Sequence, residues 1–332
     1  MPSIETIAVV GSGYMGGGIA QVFAKAGFSV LIADQSADVA TAAHARLVTE
    51  ARDFEEKGLF EPGAADAVAS NLAAAASVED AASRADLIIE AVFENIDVKT
   101  DVLQRVSAAA RPDAIIGTNT STISVNTLKP AVTHPERFMN IHFFNPAPFI
   151  PGAELVASDE TDEAVVEAVV EALTRAGKRP AVVGDTPGMV VNRIQYAMLR
   201  EAFRVVEEGV ASMDAVDTLV RNSFGFRLGL LGPFAIVDQA GVDVYKSCFG
   251  ILEDAFGDRM STPESLTEAV AAGTNGTKVG RGLLGTYGEA ELAAIKAYRD
   301  NAYVRMQSLQ NELGAPPSAR AATDAGTEAA TV

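Results

Sequence analysis

The N-terminal segment constrains the fold of this chain more than any other part of it. A short apolar run, Thr6–Val10, leads directly into the glycine-rich turn Gly11–Gly16, and a helical pattern follows over residues 17–26. A strand, a G-x-G-x-x-G turn and a helix in this order are typical of a βαβ unit that binds a dinucleotide. The glycines allow a tight turn, close approach of the backbone to a pyrophosphate, and close packing of the helix on the strand. An ordinary glycine-rich turn without a ligand is the alternative.

The second strand of this unit indicates which dinucleotide is bound. The apolar run Ser29–Ala33 ends at Asp34, eighteen residues after Gly16. A carboxylate there accepts hydrogen bonds from a ribose 2′-hydroxyl and repels a 2′-phosphate, and neither Gln35 nor Ser36 offers a basic replacement. We therefore predict NAD rather than NADP. The predicted contacts in the turn are Gly11, Gly13, Tyr14, Met15 and Gly16.

Hydrophobic patterns beyond Asp34 predict a mostly parallel, doubly wound sheet. Residues 37–75 are rich in alanine and charge, with helical periodicity and a break at Pro62-Gly63, which predicts a helical hairpin outside the sheet. Four further strands are predicted at Leu87–Ala91, Ala114–Gly117, Phe138–Phe144 and Pro180–Val183. Strands that alternate with helices favour a parallel sheet with helices on both faces.

The pattern changes at Thr186-Pro187-Gly188, where proline and glycine suit a domain boundary. A long helical pattern, Met189–Glu208, follows, and strand-like runs become rare. We predict an α/β Rossmann-type domain over residues 1–185, an all-α domain over 186–314, and a disordered tail over 315–332, which has few large apolar residues.

Composition narrows the functional class. The formal net charge is −18, which disfavours nucleic acid as a partner because phosphate neutralisation needs clustered Lys and Arg. No apolar run reaches the roughly 20 residues of a membrane span, and the N-terminus lacks the pattern of a secretory signal. The single cysteine, Cys248, excludes an internal disulfide and fits a reducing cytoplasm; we expect it to be buried. We predict no metal site and a cytoplasmic location.

One histidine stands out as a candidate base. His142 follows an apolar run, and Glu154 lies twelve residues beyond it. A histidine oriented by a carboxylate can act as a general base near neutral pH, and a base beside a hydride acceptor suggests an alcohol dehydrogenase. The alternative is a histidine satisfied within the core. The other two, His44 and His134, are predicted at the surface.

Several separate motifs together give the chain a family resemblance. Apart from its tail, it resembles the L-3-hydroxyacyl-CoA dehydrogenases along nearly its whole length. Beyond the N-terminal turn, the matching segments are Glu94-Asn95-Ile96-Asp97-Val98-Lys99, Thr118-Asn119-Thr120-Ser121, His142-Phe143-Phe144-Asn145-Pro146 and Pro187-Gly188-Met189-Val190-Val191-Asn192-Arg193. The resemblance implies an NAD-dependent dehydrogenase with a helical dimerisation domain, and so a homodimer.

The resemblance also implies residue roles. His142 matches the base that takes the hydroxyl proton, and Glu154 matches the carboxylate that orients it. Ser121 and Asn192 match polar residues around the substrate oxygens. Residues matching the nicotinamide side of the cofactor site are Glu94, Lys99, Asn145 and Lys278.

Simpler interpretations remain open for four of these residues. Ser121 can be a turn or capping residue, and Asn192 can be a helix-start residue. Lys99 and Lys278 can each be ordinary solvated charges. A non-catalytic NAD-binding protein, as lambda-crystallin is in part, also remains an alternative, although the apparently complete set of polar residues argues against it.

The substrate is the least determined feature. Just before Glu154, where acyl-CoA members commonly carry a lysine and bulkier apolar residues, this chain has Gly152-Ala153. Acyl-CoA members also have a shorter segment at Gly225–Pro233. The longer segment is similar to relatives that oxidise free hydroxy acids: gulonate, carnitine and pyridine-carboxylate dehydrogenases. Arg227 in this segment can pair with a carboxylate, which a thioester lacks, or can form a surface or interface ion pair. We favour a free hydroxy acid slightly over a short acyl-CoA.

Overall fold

The computed structural model describes residues 3–314 and 316–317. The chain divides into two compact units, the first ending at Arg200 and the second beginning at Glu201. This division falls within a helix, so the boundary predicted at residues 185–186 stays a prediction. Apart from Pro316 and Pro317, the predicted disordered tail lies outside the described residues.

The first unit is built on an eight-stranded sheet in the order β3-β2-β1-β4-β5-β6-β7-β8. Its strands are β1 (Thr6–Val10), β2 (Ser29–Ala33), β3 (Leu72–Ala74), β4 (Leu87–Glu90), β5 (Ile115–Thr118), β6 (Phe138–Phe143), β7 (Gly152–Ala157) and β8 (Arg179–Val183). Every neighbouring pair is parallel except β6 and β7. The predicted mostly parallel, doubly wound sheet is confirmed.

Two strands of this sheet were not predicted. Residues 72–74 were assigned to the helical hairpin, but Leu72 pairs with Val30 and makes β3 the edge of the sheet. A Leu-Ala-Ala sequence has helical propensity, and its place beside β2 overrides that preference. The edge strand also holds His44, which is half-buried with Nε2 3.0 Å from the Leu72 carbonyl rather than on the surface as expected.

The helices of the first unit cover both faces of the sheet. They are α1 (Tyr14–Lys25), α2 (Ala37–Glu56), α3 (Ala64–Asn71), α4 (Val78–Arg84), α5 (Ile96–Ala109), α6 (Val125–Leu128) and α7 (Glu163–Arg175). The next helix, α8 (Val191–Glu207), contains the division between the two units. The predicted break at Pro62-Gly63 separates α2 from α3, and Gly63 has a φ of 89°. Short 3₁₀ turns occupy Lys129–Ala131 and Pro135–Arg137.

Two apolar clusters, one on each face, bury this sheet. On one face the rings of Phe28 and Phe143 pack edge-on against Phe23, with centroids 5.4 and 6.0 Å away. Each fully buried aromatic side chain contributes roughly 1.5–3 kcal/mol to folding. The sheet is therefore a rigid platform, and the carboxyl ends of β1, β4 and β5 meet along one edge of it.

The second unit contains no large sheet among the residues the structure describes. Its elements after α8 are α9 (Met213–Asn222), α10 (Phe224–Leu228), α11 (Pro233–Ala240), α12 (Val242–Phe256), α13 (Glu264–Ala271), the two-residue strands β9 (Arg281–Gly282) and β10 (Gly285–Thr286), and α14 (Glu289–Leu313). Further 3₁₀ turns lie at Gly257–Met260 and Thr277–Val279. The predicted helical C-terminal domain is confirmed. Within the described ranges, no helix has the length and apolar character needed to cross a membrane.

Cys248 corrects one expectation about this unit. It was predicted to be buried, but it is exposed on α12. Among the residues of α12 only Val242 is buried, so the rest of this helix is at least partly exposed.

Candidate active site

His142 and Glu154 face each other across the one antiparallel strand pair of the large sheet. The β6–β7 register places His142 directly opposite Glu154. The imidazole Nδ1 lies 2.9 Å from Glu154 Oε2, and the two residues are 5% and 3% exposed. Directly opposed residues share one face of a sheet, so the pairing of the strands itself creates this contact. β7 was the second strand that the sequence analysis missed.

The second oxygen of Glu154 is held by the start of α8. Oε1 accepts hydrogen bonds from the backbone N–H groups of Val190, at 3.0 Å, and Val191, at 2.8 Å. Gly188 and Met189 immediately before them both have left-handed φ angles, 73° and 47°. Such a conformation is costly for a residue with a side chain, and at Met189 the burial of the side chain offsets it. The turn aims two N–H groups and the positive end of a helix dipole at the carboxylate.

The other imidazole nitrogen of His142 is available for chemistry. Nε2 has no hydrogen-bond partner within the described part of the chain, and His142 lines a cavity of about 1120 Å³. The ring of Phe144 packs 4.7 Å from the imidazole and restrains its orientation. A histidine that uses Nδ1 to bind a carboxylate and keeps Nε2 free can take a proton from a hydroxyl group.

Ser121 and Asn192, predicted near the substrate oxygens, lie together on the wall of the same cavity. The side-chain amide of Asn192 donates to the Ser121 carbonyl at 3.3 Å. Ser121 also donates twice to Glu94 Oε1, from its backbone N–H at 2.9 Å and from its hydroxyl at 3.3 Å. These contacts bring the β5 loop and the start of α8 to the cavity that His142 lines.

Glu94 organises the turn that carries Ser121. Its Oε1 also accepts hydrogen bonds from the Thr120 hydroxyl at 2.6 Å and from the Thr122 N–H at 3.1 Å. Partial burial raises the pKa of Glu94, but the hydrogen bonds from Thr120 and its neighbours and the charge of Lys99 outweigh it and hold the pKa below its usual value. The carboxylate is therefore ionised at neutral pH.

Lys99 is not the solvated charge that the simpler interpretation required. Its side chain is 0% exposed, and Nζ contacts Glu90 at 2.9 Å and Glu94 at 3.5 Å. It also donates to the Asn119 carbonyl at 3.3 Å. A buried ammonium held by two carboxylates is a fixed element of the site. Its predicted contact with the cofactor stays a prediction.

The glycine-rich turn shows three separate reasons for glycine. Gly11 has a φ of 100°, and a Cβ added to it would lie 2.6 Å from the Ala91 carbonyl oxygen. A Cβ on Gly16 would lie 1.8 Å from the Gly11 carbonyl oxygen, so α1 packs directly on the turn. Nothing lies within 4 Å of a Cβ on Gly13, where α1 begins without a side-chain cap. This open space beside free N–H groups fits the pyrophosphate of NAD.

Asp34 lies at the end of β2, as predicted, and binds the turn. Its Oδ2 accepts from the Ser12 N–H at 2.7 Å and from the Ser12 hydroxyl at 2.6 Å. Its Oδ1 accepts from the Gln35 N–H at 2.7 Å. Burial raises the pKa of Asp34, yet the hydrogen bonds from Ser12 and Gln35 lower it further and hold the carboxyl ionised. An ionised group here fits a ribose diol and opposes a 2′-phosphate.

Of the remaining predicted cofactor contacts, two line the cavity and two do not. Met15 and Asn145 line the cavity beside His142, whereas Tyr14 is 69% exposed at the first residue of α1. Lys278, in the second unit, forms an ion pair with Asp243, with Nζ 2.5 Å from Oδ1.

Arg227 lies on α10 in the second unit and is half-buried. Within the described residues its guanidinium has no ion-pair or hydrogen-bond partner, so it is available to a carboxylate. Its role as a substrate contact stays a prediction.

Sequence reasoning missed three residues at this site. Phe144 restrains the imidazole, and Arg193 lines the cavity as the one lysine or arginine among its described lining residues. Arg46, on α2, donates to the Ser12 carbonyl at 2.7 Å and so supports the glycine turn. Phe144 and Arg193 both stand inside quoted motifs and could have been found there. Nothing in the local sequence marks Arg46.

Two family models together match most of the chain. The model described as the NAD binding domain of 3-hydroxyacyl-CoA dehydrogenase matches residues 6–186, and the model for its C-terminal domain matches residues 188–285. The predicted family and the predicted NAD cofactor are confirmed.

Individual relatives fall into two substrate classes. The chain is 36% identical over 284 residues to 3-hydroxybutyryl-CoA dehydrogenase of Bradyrhizobium diazoefficiens, covering 84% of this chain and 94% of that one. It is 32% identical over 307 residues to 5-formyl-3-hydroxy-2-methylpyridine 4-carboxylate 5-dehydrogenase of Mesorhizobium japonicum, covering 92% and 98%. Among solved structures, a 3-hydroxyacyl-CoA dehydrogenase from Archaeoglobus fulgidus matches with a TM-score of 0.75 and 30% identity, covering 93% of this chain and 99% of that one.

Proposed function

This chain belongs to the 3-hydroxyacyl-CoA dehydrogenase family and is an NAD-dependent dehydrogenase that acts on a hydroxyl group; from this premise we propose that it interconverts a hydroxyl and a carbonyl beta to the carboxyl group of a free hydroxy acid. The His142–Glu154 hydrogen bond carries the proposal. It occupies Nδ1 and leaves Nε2, on an imidazole that lines the cavity, free to accept a proton.

His142 performs the proton half of the oxidation. The substrate O–H bond breaks, and its proton moves to Nε2 of His142. The C–H bond of the same carbon breaks with its electron pair, and the carbon–oxygen bond becomes a double bond. NAD, when bound, supplies the acceptor for that hydride. Glu154 stabilises the imidazolium form, which returns its proton to the oxygen in the reverse direction.

Ser121 and Asn192 hold the substrate oxygens in this proposal. Both line the cavity with His142, and the contact of Asn192 with the Ser121 carbonyl holds the two residues side by side. Glu94 restrains the Ser121 turn through several hydrogen bonds. Polar groups fixed before the substrate arrives need no reorganisation when charge develops on an oxygen.

Two observations support a free acid over a thioester. The Mesorhizobium japonicum relative, 98% of which is covered by the match, is named for a pyridine carboxylate substrate. Arg227 offers a planar guanidinium that can bind a carboxylate through two parallel hydrogen bonds. The second candidate is a short-chain L-3-hydroxyacyl-CoA dehydrogenase, because the chain is 36% identical to a 3-hydroxybutyryl-CoA dehydrogenase.

A substrate panel with one arginine variant separates the two candidates. NAD reduction is measured with 3-hydroxybutyrate, L-gulonate and carnitine as free acids and with (S)-3-hydroxybutyryl-CoA, for the wild type and for Arg227→Ala. If Arg227 binds carboxylate, KM for the best free acid rises on the order of tenfold or more. Arg221→Ala, at an exposed arginine of α9, is the matched control. An unchanged KM for acids together with good turnover of the thioester rejects the free-acid candidate.

A histidine variant tests whether the protein is catalytic at all. His142→Ala should abolish turnover and leave NADH binding, followed by its fluorescence, within about twofold of the wild type. Turnover that persists in this variant rejects His142 as the base. A wild type that binds NADH but oxidises no member of the panel supports the non-catalytic alternative.

We also propose that the enzyme is a cytoplasmic homodimer. The helices of the second unit expose large apolar side chains: Leu219, Phe234, Ile251 and Val304 are each at least 60% exposed. Apolar surface of this kind is typical of a subunit interface. Light scattering during gel filtration should give twice the mass of 34.6 kDa, and a monomer at micromolar concentration would reject the dimer.

A further inference from the structure

A buried lysine with no acidic partner among the described residues lies beside the segment that joins β6 to β7, the strands that carry His142 and Glu154. Lys178 immediately precedes β8 and is 5% exposed. Its Nζ donates to the carbonyl oxygens of Ala147, at 2.5 Å, and Ile150, at 2.7 Å. Within the described ranges it forms no ion pair. A buried cation is expensive unless it is well hydrogen-bonded, so these two contacts need an explanation.

Residues 144–151 connect β6, which carries His142, to β7, which carries Glu154, and residues 147–151 are the second part of this connection. It is turn-like rather than regular. The Pro151 carbonyl accepts from the Arg179 N–H at 2.8 Å, whereas the carbonyls of Ala147 and Ile150 have no backbone donor within the described residues. Ala147 is 1% exposed, and an unpaired buried carbonyl costs about 1–3 kcal/mol. A single ammonium with three donors can satisfy two such groups at once.

The same segment forms part of the cavity wall. Ile150, one of the two residues whose carbonyls Lys178 binds, lines the cavity with His142. Behind it, Phe149 packs on Phe54 with ring centroids 5.1 Å apart. Pro148 packs on α1 so closely that a Cβ on Gly18 would lie 2.9 Å from its Cδ. The back of the segment is therefore held by apolar packing, and its carbonyl groups are held by Lys178.

We propose that Lys178 is a positioning residue that fixes the Ala147–Ile150 segment and thereby sets the substrate side of the cavity. This rests on the proposed function of that cavity. Lys178 does not contact His142 or Glu154, so it acts on the fit of the substrate rather than on proton transfer. Burial, with a smaller contribution from the charge of Lys25, lowers the pKa of Lys178 to about 8. A lowered pKa is expected for an ammonium group that is shielded from water while it donates these two hydrogen bonds.

The test replaces the donor while keeping the volume. Lys178→Met cannot donate, whereas Lys178→Arg keeps the charge and the donors. In Lys178→Met, KM for the best substrate of the panel should rise on the order of tenfold, with kcat within about threefold of the wild type. Lys178→Arg should recover part of the KM. Lys57→Met, which breaks an exposed ion pair with Asp53, is the control and should leave both constants unchanged.

A second measurement does not depend on turnover. Backbone hydrogen exchange of a peptide covering residues 144–152 should be faster in Lys178→Met than in the wild type, and close to the wild type in Lys178→Arg. Unchanged exchange, or a KM within twofold of the wild type, overturns the proposal. If the wild type oxidises nothing in the panel, the proposed function fails, and the exchange comparison still decides whether Lys178 holds the segment. If Lys178→Met does not fold, Lys178→Leu, which also lacks a donor, takes its place in both measurements.

Discussion

Glu154 binds His142 Nδ1 with one carboxylate oxygen and two N–H groups at the start of α8 with the other. The contact therefore connects three elements, because His142 lies on β6, Glu154 lies on β7, and the donors begin a helix. A carboxylate suits this place because both of its oxygens accept hydrogen bonds and neither donates.

Glu154→Gln should separate these two tasks. An amide has one acceptor oxygen, so it can serve either the imidazole or the helix N–H groups but not both. We expect kcat to fall by about 10²–10⁴ because the imidazolium loses its carboxylate, with NADH binding within about twofold of the wild type. Initial rates with the best substrate of the panel measure this. Glu61→Gln, at an exposed glutamate, is the control, and a loss of less than fivefold in Glu154→Gln would contradict the assigned role.

Two glycines of the phosphate turn should respond differently to the same substitution. Gly16→Ala places a methyl group 1.8 Å from the Gly11 carbonyl oxygen, so the backbone must move, and we expect a loss of about 1–3 kcal/mol in the free energy of unfolding. Gly13→Ala meets no protein atom within 4 Å and should change it by less than about 0.5 kcal/mol.

NADH binding, unlike stability, should be sensitive to substitution of Gly13. If the open space there receives the pyrophosphate, Gly13→Ala should weaken NADH binding on the order of tenfold or more in a protein that melts normally. Denaturant melts and NADH titrations of the two variants measure both effects. Normal NADH affinity in Gly13→Ala would place the pyrophosphate elsewhere.

Asp34 should determine the choice of cofactor. In the double variant Asp34→Ser with Gln35→Arg, the carboxylate is removed and a guanidinium is supplied for a 2′-phosphate. Hydrogen bonds to charged groups contribute about 1.5–3 kcal/mol, so the ratio of kcat/KM for NAD to that for NADP should fall by roughly 10- to 100-fold. Ser12→Ala removes one hydrogen bond to Asp34 and leaves the carboxylate, so it should preserve the preference for NAD. If the double variant keeps the wild-type ratio, Asp34 does not read the ribose.

Lys178 should give the protein a characteristic response to alkaline pH. Burial, with a smaller contribution from the charge of Lys25, lowers its pKa from near 10.5 in the unfolded state to about 8 in the folded state. Below pH 8 both states are charged, and burial of the charge opposes folding. Between about pH 8 and 10.5 the unfolded state binds more protons, so this group makes the free energy of unfolding increase with pH. The melting temperature of the wild type minus that of Lys178→Met should therefore rise from pH 7.5 to pH 10. A constant or falling difference would contradict this.

The sequence indicated the candidate site residues more completely than it indicated the strands that position them. The run before His142 is strongly apolar and became β6, whereas Gly152-Ala153 has weak strand propensity and gave no sign of β7. Only pairing with β6 makes that segment a strand. The proximity of His142 and Glu154 could be predicted from the family resemblance, but their opposition in a strand register could not.

Burial of charged groups was the other feature beyond reach. Lys99 and Lys178 look alike in the sequence to any exposed lysine, yet both are buried. Lys99 is paired with carboxylates supplied from β4 and the loop after it, and Lys178 with carbonyls 28 and 31 residues away. Such partners are assembled only by the fold, so local patterns do not reveal them.

The His142–Glu154 contact depends on the register in which β6 and β7 pair. Side chains alternate between the two faces of a strand, so a slip of one residue would turn Glu154 to the far side of the sheet while leaving both strands paired. Such a protein would keep every residue named above and still lack its acid–base pair. The pairing register of β6 and β7 must therefore be conserved in evolution as strictly as His142 and Glu154 themselves.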